Sequence, residues 1–232
     1  DQSGVRANVS IKLSQIGLSL DKELCAENLR QILEHAQQRQ NFVRIDMEDS
    51  SSVDDTLALY QRMRQQYHYD NTGLVIQAYL YRSAADIERL MALGGKVRLC
   101  KGAYKEPAEV AFPKKKDVDE NYDRLVMKIV DHSLALGAPE VSADGKCPPI
   151  LAVASHDEKR LASAKAYALQ NGLSSRAIEF QMLYGIRRDL QAQTVAQGYP
   201  VRVYVPYGTQ WYPYFMRRLA ERPANVWFFV SN

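Results

Sequence analysis

A (β/α) barrel of parallel strands is the fold class this sequence predicts, and three observations predict it. Short apolar runs alternate with longer amphipathic stretches along the whole chain, the rhythm of a parallel sheet with right-handed crossovers. The glycine-rich GxGxxG turn that a dinucleotide-binding doubly wound sheet needs after an early strand is absent. Polar residues collect instead behind several different strands, as in a barrel whose site lies at the C-terminal ends of its strands. About seven β/α units are counted, one fewer than a closed barrel of this kind has.

Taken in order, the first strand is Val9–Leu13, followed by a helix over Asp21–Arg39 with Asp21 as its N-cap. Phe42–Met47 is the second strand, and its helix runs from Val53 to Tyr67 behind a Ser/Asp-rich start. Gly73–Tyr79 is the third, with a helix over Ala84–Leu93 stopped by Gly94 and Gly95. Val97–Lys101 is the fourth, then a long loop through Pro113 and a helix over Val118–Leu136. Ala138–Pro149 has no periodicity and reads as a surface loop. Ile150–Ala154, Ile178–Met182 and Val201–Val205 are the remaining strands, with helices over Asp157–Gln170 and Arg188–Gln197 between them. Pro206 and Gly208 end the last strand, and Pro213 suits the first turn of a final helix. On that helix Phe215 and Leu219 share one face, while Arg217, Arg218 and Glu221 fall together near the other. Two adjacent guanidiniums behind a strand end suit a carboxylate or phosphate, and they also fit a solvated basic helix end.

At 232 residues and 46% hydrophobic, the chain can bury a substantial core as one domain over 1–232. Its 30 basic and 27 acidic residues leave +3, which gives no argument for nucleic acid. The run Lys114–Lys116 is short and reads as a solvated loop. Cys25, Cys100 and Cys147 are odd in number and widely spaced, with no CxxC, which suits a reducing compartment rather than a disulfide framework or a zinc site. No signal peptide and no apolar run of roughly 18 residues is found, so a cytoplasmic protein is expected, with peripheral association at the inner face of the membrane left open.

The chemistry collects at strand ends: Lys12, Asp46, Gln77, Arg98 with Lys101, His156 with Asp157, Gln181, and Tyr204. Single buried charges are costly, so charges on nearly every strand imply a polar centre inside the barrel. Each has a plainer explanation, such as a structural Lys12–Asp46 ion pair or a hydrogen-bonded core amide at Gln77. Asp46 and Glu48 share a strand face while Asp49 begins the turn, which argues against a metal. GxSxG, HExxH and P-loop patterns are absent. What is left is a cation-rich pocket lined by Tyr and Gln, suited to a large anionic cofactor and a small carboxylate.

Ser-Ile-Lys-Leu-Ser-Gln-Ile-Gly-Leu, Arg-Ile-Asp-Met-Glu-Asp-Ser, Val-Ile-Gln-Ala-Tyr-Leu-Tyr-Arg, Val-Arg-Leu-Cys-Lys-Gly-Ala-Tyr-Lys-Glu, Ala-Ser-His-Asp, Glu-Phe-Gln-Met-Leu-Tyr-Gly and the run from Tyr204 to Glu221 cover nearly the whole chain. In that order they resemble proline dehydrogenase, most closely its monofunctional bacterial type. The resemblance implies a distorted (β/α)8 TIM barrel that oxidises L-proline to Δ1-pyrroline-5-carboxylate by hydride transfer to FAD. It also implies a membrane quinone as electron acceptor, and it leaves a homo-oligomer open. Arg217 and Arg218 would pair with the proline carboxylate, Lys12 would be a third cation, and Asp46 would hydrogen-bond and orient Lys12 and the pocket. Tyr104, Leu183, Tyr204 and Tyr214 would wall the pyrrolidine ring. Gln77, Arg98, Lys101, Ala103, Ser155, His156 and Gln181 match positions that hold the flavin, and Lys114 one near its phosphates. Arg218 and Glu221 match further contacts to the cofactor. The family's first barrel strand and helix would precede Val9, and the few residues there imply either a trimmed chain or a barrel closed in another way, for example by another chain. A non-catalytic flavin- or partner-binding barrel, or another flavin-dependent barrel oxidoreductase, is the alternative.

Overall fold

The computed structural model describes residues 5–209 together with Tyr212 and Met216. Seven parallel strands form one sheet in the order of the chain, β1 Val9–Lys12, β2 Val43–Asp46, β3 Thr72–Gln77, β4 Lys96–Cys100, β5 Leu151–Ala154, β6 Ile178–Leu183 and β7 Val201–Tyr204. The six helices between them are α1 Lys22–Gln38, α2 Val53–Gln65, α3 Ser83–Ala92, α4 Lys115–Ala135, α5 Glu158–Gln170 and α6 Arg188–Ala196. Each strand pairs only with its neighbours in sequence, so every connection is a β-helix-β crossover and the sheet curls toward a barrel. Among the described residues β1 and β7 are its edges.

Alternation along the strands divides the molecule into two layers. Ile45, Leu74, Val97, Leu99, Leu151, Val153, Ile178 and Phe180 are buried, and with apolar residues of the helices, such as Leu29, Tyr60, Ile87, Leu125 and Leu161, they make the outer core. The alternate residues face the concave side and include the buried charges. Near the N-terminal ends of the strands, Arg44 is fully buried, stacks 4.9 Å from the Phe42 ring and donates to the carbonyls of Lys96 at 2.6 Å and Leu74 at 3.2 Å. A glycine at position 73 makes room for it, because a Cβ there would collide with the Lys96 carbonyl, the Arg44 guanidinium and the Phe42 ring.

The helix ends follow the expected chemistry. Asp21 accepts from the Leu24 N–H at 2.7 Å and caps α1. Gly94 takes φ +64° just after α3, a conformation that glycine adopts without steric cost. One expectation needs correction. Lys115 and Lys116 open α4 rather than lying in a loop, because Lys115 pairs with Asp119 and Lys116 with Glu120, each four residues on. The surface loop at 138–149 also braces the sheet: the Gly145 carbonyl accepts from Arg202 at 2.7 Å, and the Lys146 carbonyl from Asn8 at 2.9 Å. It thereby links residues beside β1 to β7, the two edges.

Candidate active site

The concave face gathers side chains from strands that are not neighbours. Arg98, in the middle of β4, forms an ion pair with Asp46 of β2 and donates to Ser10 Oγ of β1 at 3.2 Å and to Gln181 Oε1 of β6 at 3.3 Å. Neither β1, β2 nor β6 borders β4, so these contacts cross the interior of the curled sheet. The Tyr204 hydroxyl of β7 donates to Asp46 Oδ2 at 3.0 Å, and the Arg98 guanidinium lies 5.3 Å from the Tyr204 ring centre. Burial lowers the Arg98 pKa from its ordinary value, but an arginine guanidinium stays charged in a protein. The pair places a full cation in the low-dielectric centre of the molecule and satisfies it by hydrogen bonds.

Above this centre, Lys12 Nζ donates to the Tyr104 hydroxyl at 3.3 Å. Tyr104 is on the loop after β4 and is 37% exposed, so the pair lies at the mouth. The expectation that Asp46 orients Lys12 is corrected here, since Asp46 is engaged by Arg98 and Tyr204 and Lys12 by Tyr104. Lys12 and Asp46 stand opposite each other on adjacent parallel strands. Their side chains leave the sheet side by side. The longer Lys12 continues toward the mouth, while Asp46 meets groups arriving from the far wall.

Around the rim, Lys101 Nζ bonds Asp119 at 2.5 Å and Asp157 at 2.6 Å. Burial pushes both carboxyls up, but the Lys101 hydrogen bonds and charge, aided by Lys115, outweigh it and leave both below their ordinary values. Ser155 Oγ accepts from the Asp157 N–H at 3.1 Å, and His156 Nε2 accepts from the Leu183 N–H at 2.9 Å, tying the end of β5 to that of β6. Lys114 is the residue before α4, and Ala103 is exposed on the loop after β4. A shallow groove of about 580 Å³ runs between the starts of α4 and α5, lined by Lys115, Lys116, Lys159 and Arg160 with Asp119, Glu120 and Asp157. Cys100 stands beside Gln77 in the register of β3 and β4, and burial pushes its thiol up to about 11. At neutral pH it is therefore a thiol and not a nucleophilic thiolate.

These residues fit a large group with both donors and acceptors. Gln77 is 3% exposed, and its Oε1 is buried with no hydrogen-bond partner among the described residues, an atom that a bound donor would satisfy. Arg98, Lys101 and the rim lysines supply positive charge on the same side. Tyr214, Arg217, Arg218 and Glu221 lie outside the described residues.

Ser10, Glu106, Glu179 and Arg202 also shape the site, though the sequence did not single them out, and Glu48, weighed there only as a metal ligand, does so through Ser14. Glu48 accepts from the N–H and hydroxyl of Ser14, and Glu106 from those of Ser50. For Glu179 and Arg202 a signal existed, since each lies two residues from a flagged position, Gln181 or Tyr204, on the same strand face.

The family model described as proline dehydrogenase matches residues 1–230. The proline dehydrogenase of Deinococcus radiodurans is 43% identical over 233 residues, covering 99% of this chain and 70% of that protein. Proline dehydrogenase 2 of Bacillus subtilis is 43% identical over 224 residues, covering 97% of this chain and 68% of that protein. Among solved structures, proline utilization A (PutA) from Bdellovibrio bacteriovorus inactivated by N-propargylglycine superposes with a TM-score of 0.78 at 29% identity, over 91% of this chain and 24% of that one. PutA from Corynebacterium freiburgense gives a TM-score of 0.71 at 24% identity, over 93% of this chain and 25% of that one, a likeness of fold. The chain thus spans about a quarter of the PutA chains. With a buried Arg98–Asp46 pair joined by Tyr204 inside a curled parallel sheet and this similarity along nearly its whole length, the chain belongs to the proline dehydrogenase family.

Proposed function

We propose that residues 1–232 act as one barrel catalytic domain that oxidises L-proline to Δ1-pyrroline-5-carboxylate, with FAD as the immediate hydride acceptor and a quinone as the later one. The observation that carries this reading is the buried cation Arg98, held by Asp46, Gln181 and Ser10 under a tyrosine-walled mouth in a chain of this family. When bound, FAD supplies the two-electron chemistry that no side chain can. Gln77, Arg98, Lys101, Ala103, Ser155, His156 and Gln181 hold it in this reading, with Lys114, Arg218 and Glu221 as further contacts. With FAD bound, Arg98 and Lys101 would favour the negative charge that accumulates on reduction.

Lys12 brings its ammonium to the mouth and, with Arg217 and Arg218, receives the substrate carboxylate. Tyr104, Leu183, Tyr204 and Tyr214 wall the ring and exclude water around it, which holds the substrate in one orientation. Asp46 fixes the Tyr204 hydroxyl and Arg98 together, so that one wall of the pocket and the cofactor side move as a unit. The proline amine must be neutral to lose hydride, so in this reading proline gives its proton to solvent before it enters the walled pocket. Among the described residues no helix is long and apolar enough to cross a membrane. Delivery of electrons to a membrane quinone through peripheral association at the inner face is part of this proposal, with a homo-oligomer as a further one.

The test is an anaerobic absorbance spectrum of the protein with FAD, before and after L-proline. The expected result is a flavin band near roughly 450 nm that bleaches on addition. A band that persists would point to another substrate or a binding module.

A further inference from the structure

Below the Arg98–Asp46 pair, toward the N-terminal ends of the strands, lies a second set of charges that the proposed reaction does not use. Glu179 on β6 is 1% exposed. Its carboxylate accepts Arg202 Nε at 2.9 Å and Nη2 at 2.8 Å, a fork that ties β6 to β7. The oxygen that takes Arg202 Nε also accepts Gln181 Nε2 at 2.6 Å. On its other side, Gln181 Oε1 accepts from Arg98 Nη1 at 3.3 Å.

The chemistry of these groups allows only one arrangement. A carboxylate only accepts hydrogen bonds and a guanidinium only donates them. The Gln181 amide sits between one of each. Its NH₂ must face Glu179 and its oxygen must face Arg98; turned over, it would set donor against donor and acceptor against acceptor in a buried site. Arg202 completes the pattern by neutralising Glu179, so that Glu179 does not compete with Asp46 for Arg98. A pair serving only to join two strands would have no need of the amide.

We propose that Glu179 is a positioning residue: through the Gln181 amide it sets the orientation of the Arg98 guanidinium, and so the cofactor-facing side of the site. This rests on the flavin reading above. The hydrogen-bonded sequence Arg202, Glu179, Gln181, Arg98, Asp46, Tyr204 then runs across the interior from β7 and back to β7, passing through β6, β4 and β2. The last strand is fixed to the same network at both Arg202 and Tyr204.

Two variants test it. Glu179→Gln keeps the shape and removes the acceptor-only character, which frees the Gln181 amide to turn. The double variant Glu179→Leu with Arg202→Leu removes both charges and avoids a lone buried arginine, a replacement that cores often tolerate. The readouts are the FAD dissociation constant by fluorescence titration and the flavin midpoint potential. In both variants FAD binding is expected to weaken about tenfold, equivalent to about 1.4 kcal/mol. In the charge-neutral double variant the potential is expected to fall, because a displaced Arg98 no longer stabilises the negative charge of reduction. A lowered melting temperature with wild-type flavin affinity and potential would reduce Glu179–Arg202 to a structural pair and overturn the proposal. If the unaltered protein binds flavin and bleaches with proline while the variants match it, only this inference fails. If the unaltered protein binds no flavin, both readings fall.

Discussion

Asp46 is the residue on which the centre turns, because it carries the charge opposite Arg98 and also receives the Tyr204 hydroxyl. Removing one member of a buried pair leaves the other charge without compensation. Asp46→Ala is therefore expected to cost about 3–5 kcal/mol of stability. Tyr204→Phe removes one hydrogen bond and keeps the ring, so about 1 kcal/mol is expected. Urea unfolding of the two variants checks the order; a Tyr204→Phe loss equal to that of Asp46→Ala would mean that the hydroxyl, not the ion pair, holds the centre. At this scale the sequence showed which charges the strands carry inward but not whom they meet. A charge within an apolar strand is legible because its burial demands a partner. The partner of Asp46 is not legible, because Arg98 lies 52 positions away and reaches it only after the sheet has curled. The sequence pointed to Lys12 instead, as a structural ion pair.

Among the elements, the loop after β4 shows how far a stretch without periodicity can be ordered. Glu106 accepts from the N–H of Ser50 at 2.7 Å and from its hydroxyl at 2.5 Å, which fastens the loop to the start of the segment leading into α2. The Leu80–Ala111 bridge and the edge-to-face contact of Tyr81 with Phe112 hold its other end. Tyr104 is carried to Lys12 between the end of β4 and the Glu106 anchor. Glu106→Ala is expected to raise the KM for proline several-fold with a smaller change in kcat, because it loosens a binding wall and leaves the Arg98 centre intact; a loss confined to kcat would refute the anchoring role. Nothing in the spacing of the loop announced this, since its contacts are to other elements. The starts of α1 and α5 were legible, by contrast, because their caps are local: Asp21 and Asp157 each accept from an N–H within the next three residues. The rim of α4 and α5 adds a pH dependence. Asp119 and Asp157 lie below their ordinary values, so fewer protons are bound in the folded than in the unfolded state across that interval. Their contribution is complete above the ordinary Asp value of about 4 and is lost as pH falls through the lowered ones. Lys101→Met, measured without flavin, should lower stability at pH 7 by more than at pH 2, where the two unfolding curves are expected to converge.

For the whole molecule, the question is how a curled sheet with two edges keeps its concavity. The seven-unit count was legible because each strand is a short apolar run bounded by turn residues and each helix is long enough to show its own period. The bracing between the ends was not legible, because it joins segments from opposite ends of the chain. Three cross-links bear on the edges. Arg98 ties β1 to the interior through Ser10, and Tyr204 ties β7 to β2. The 138–149 loop joins Asn8 to Arg202 beneath them through the neighbouring carbonyls of Lys146 and Gly145. The first two run directly to the charged centre, whereas the third ends on backbone carbonyls of the loop. Replacing Ser142–Lys146 by a short Gly-Ser linker should therefore open the edges without emptying the centre. Loss of two hydrogen bonds of about 1 kcal/mol each corresponds to roughly thirtyfold faster amide exchange wherever opening is local. That acceleration is expected in β1 and β7, while β3 and β4, paired on both sides and covered by α3 and α4, keep their protection. Uniform acceleration across all strands would show that the loop supports global stability. No acceleration at the edges would show that the Arg98 and Tyr204 links alone hold the curl.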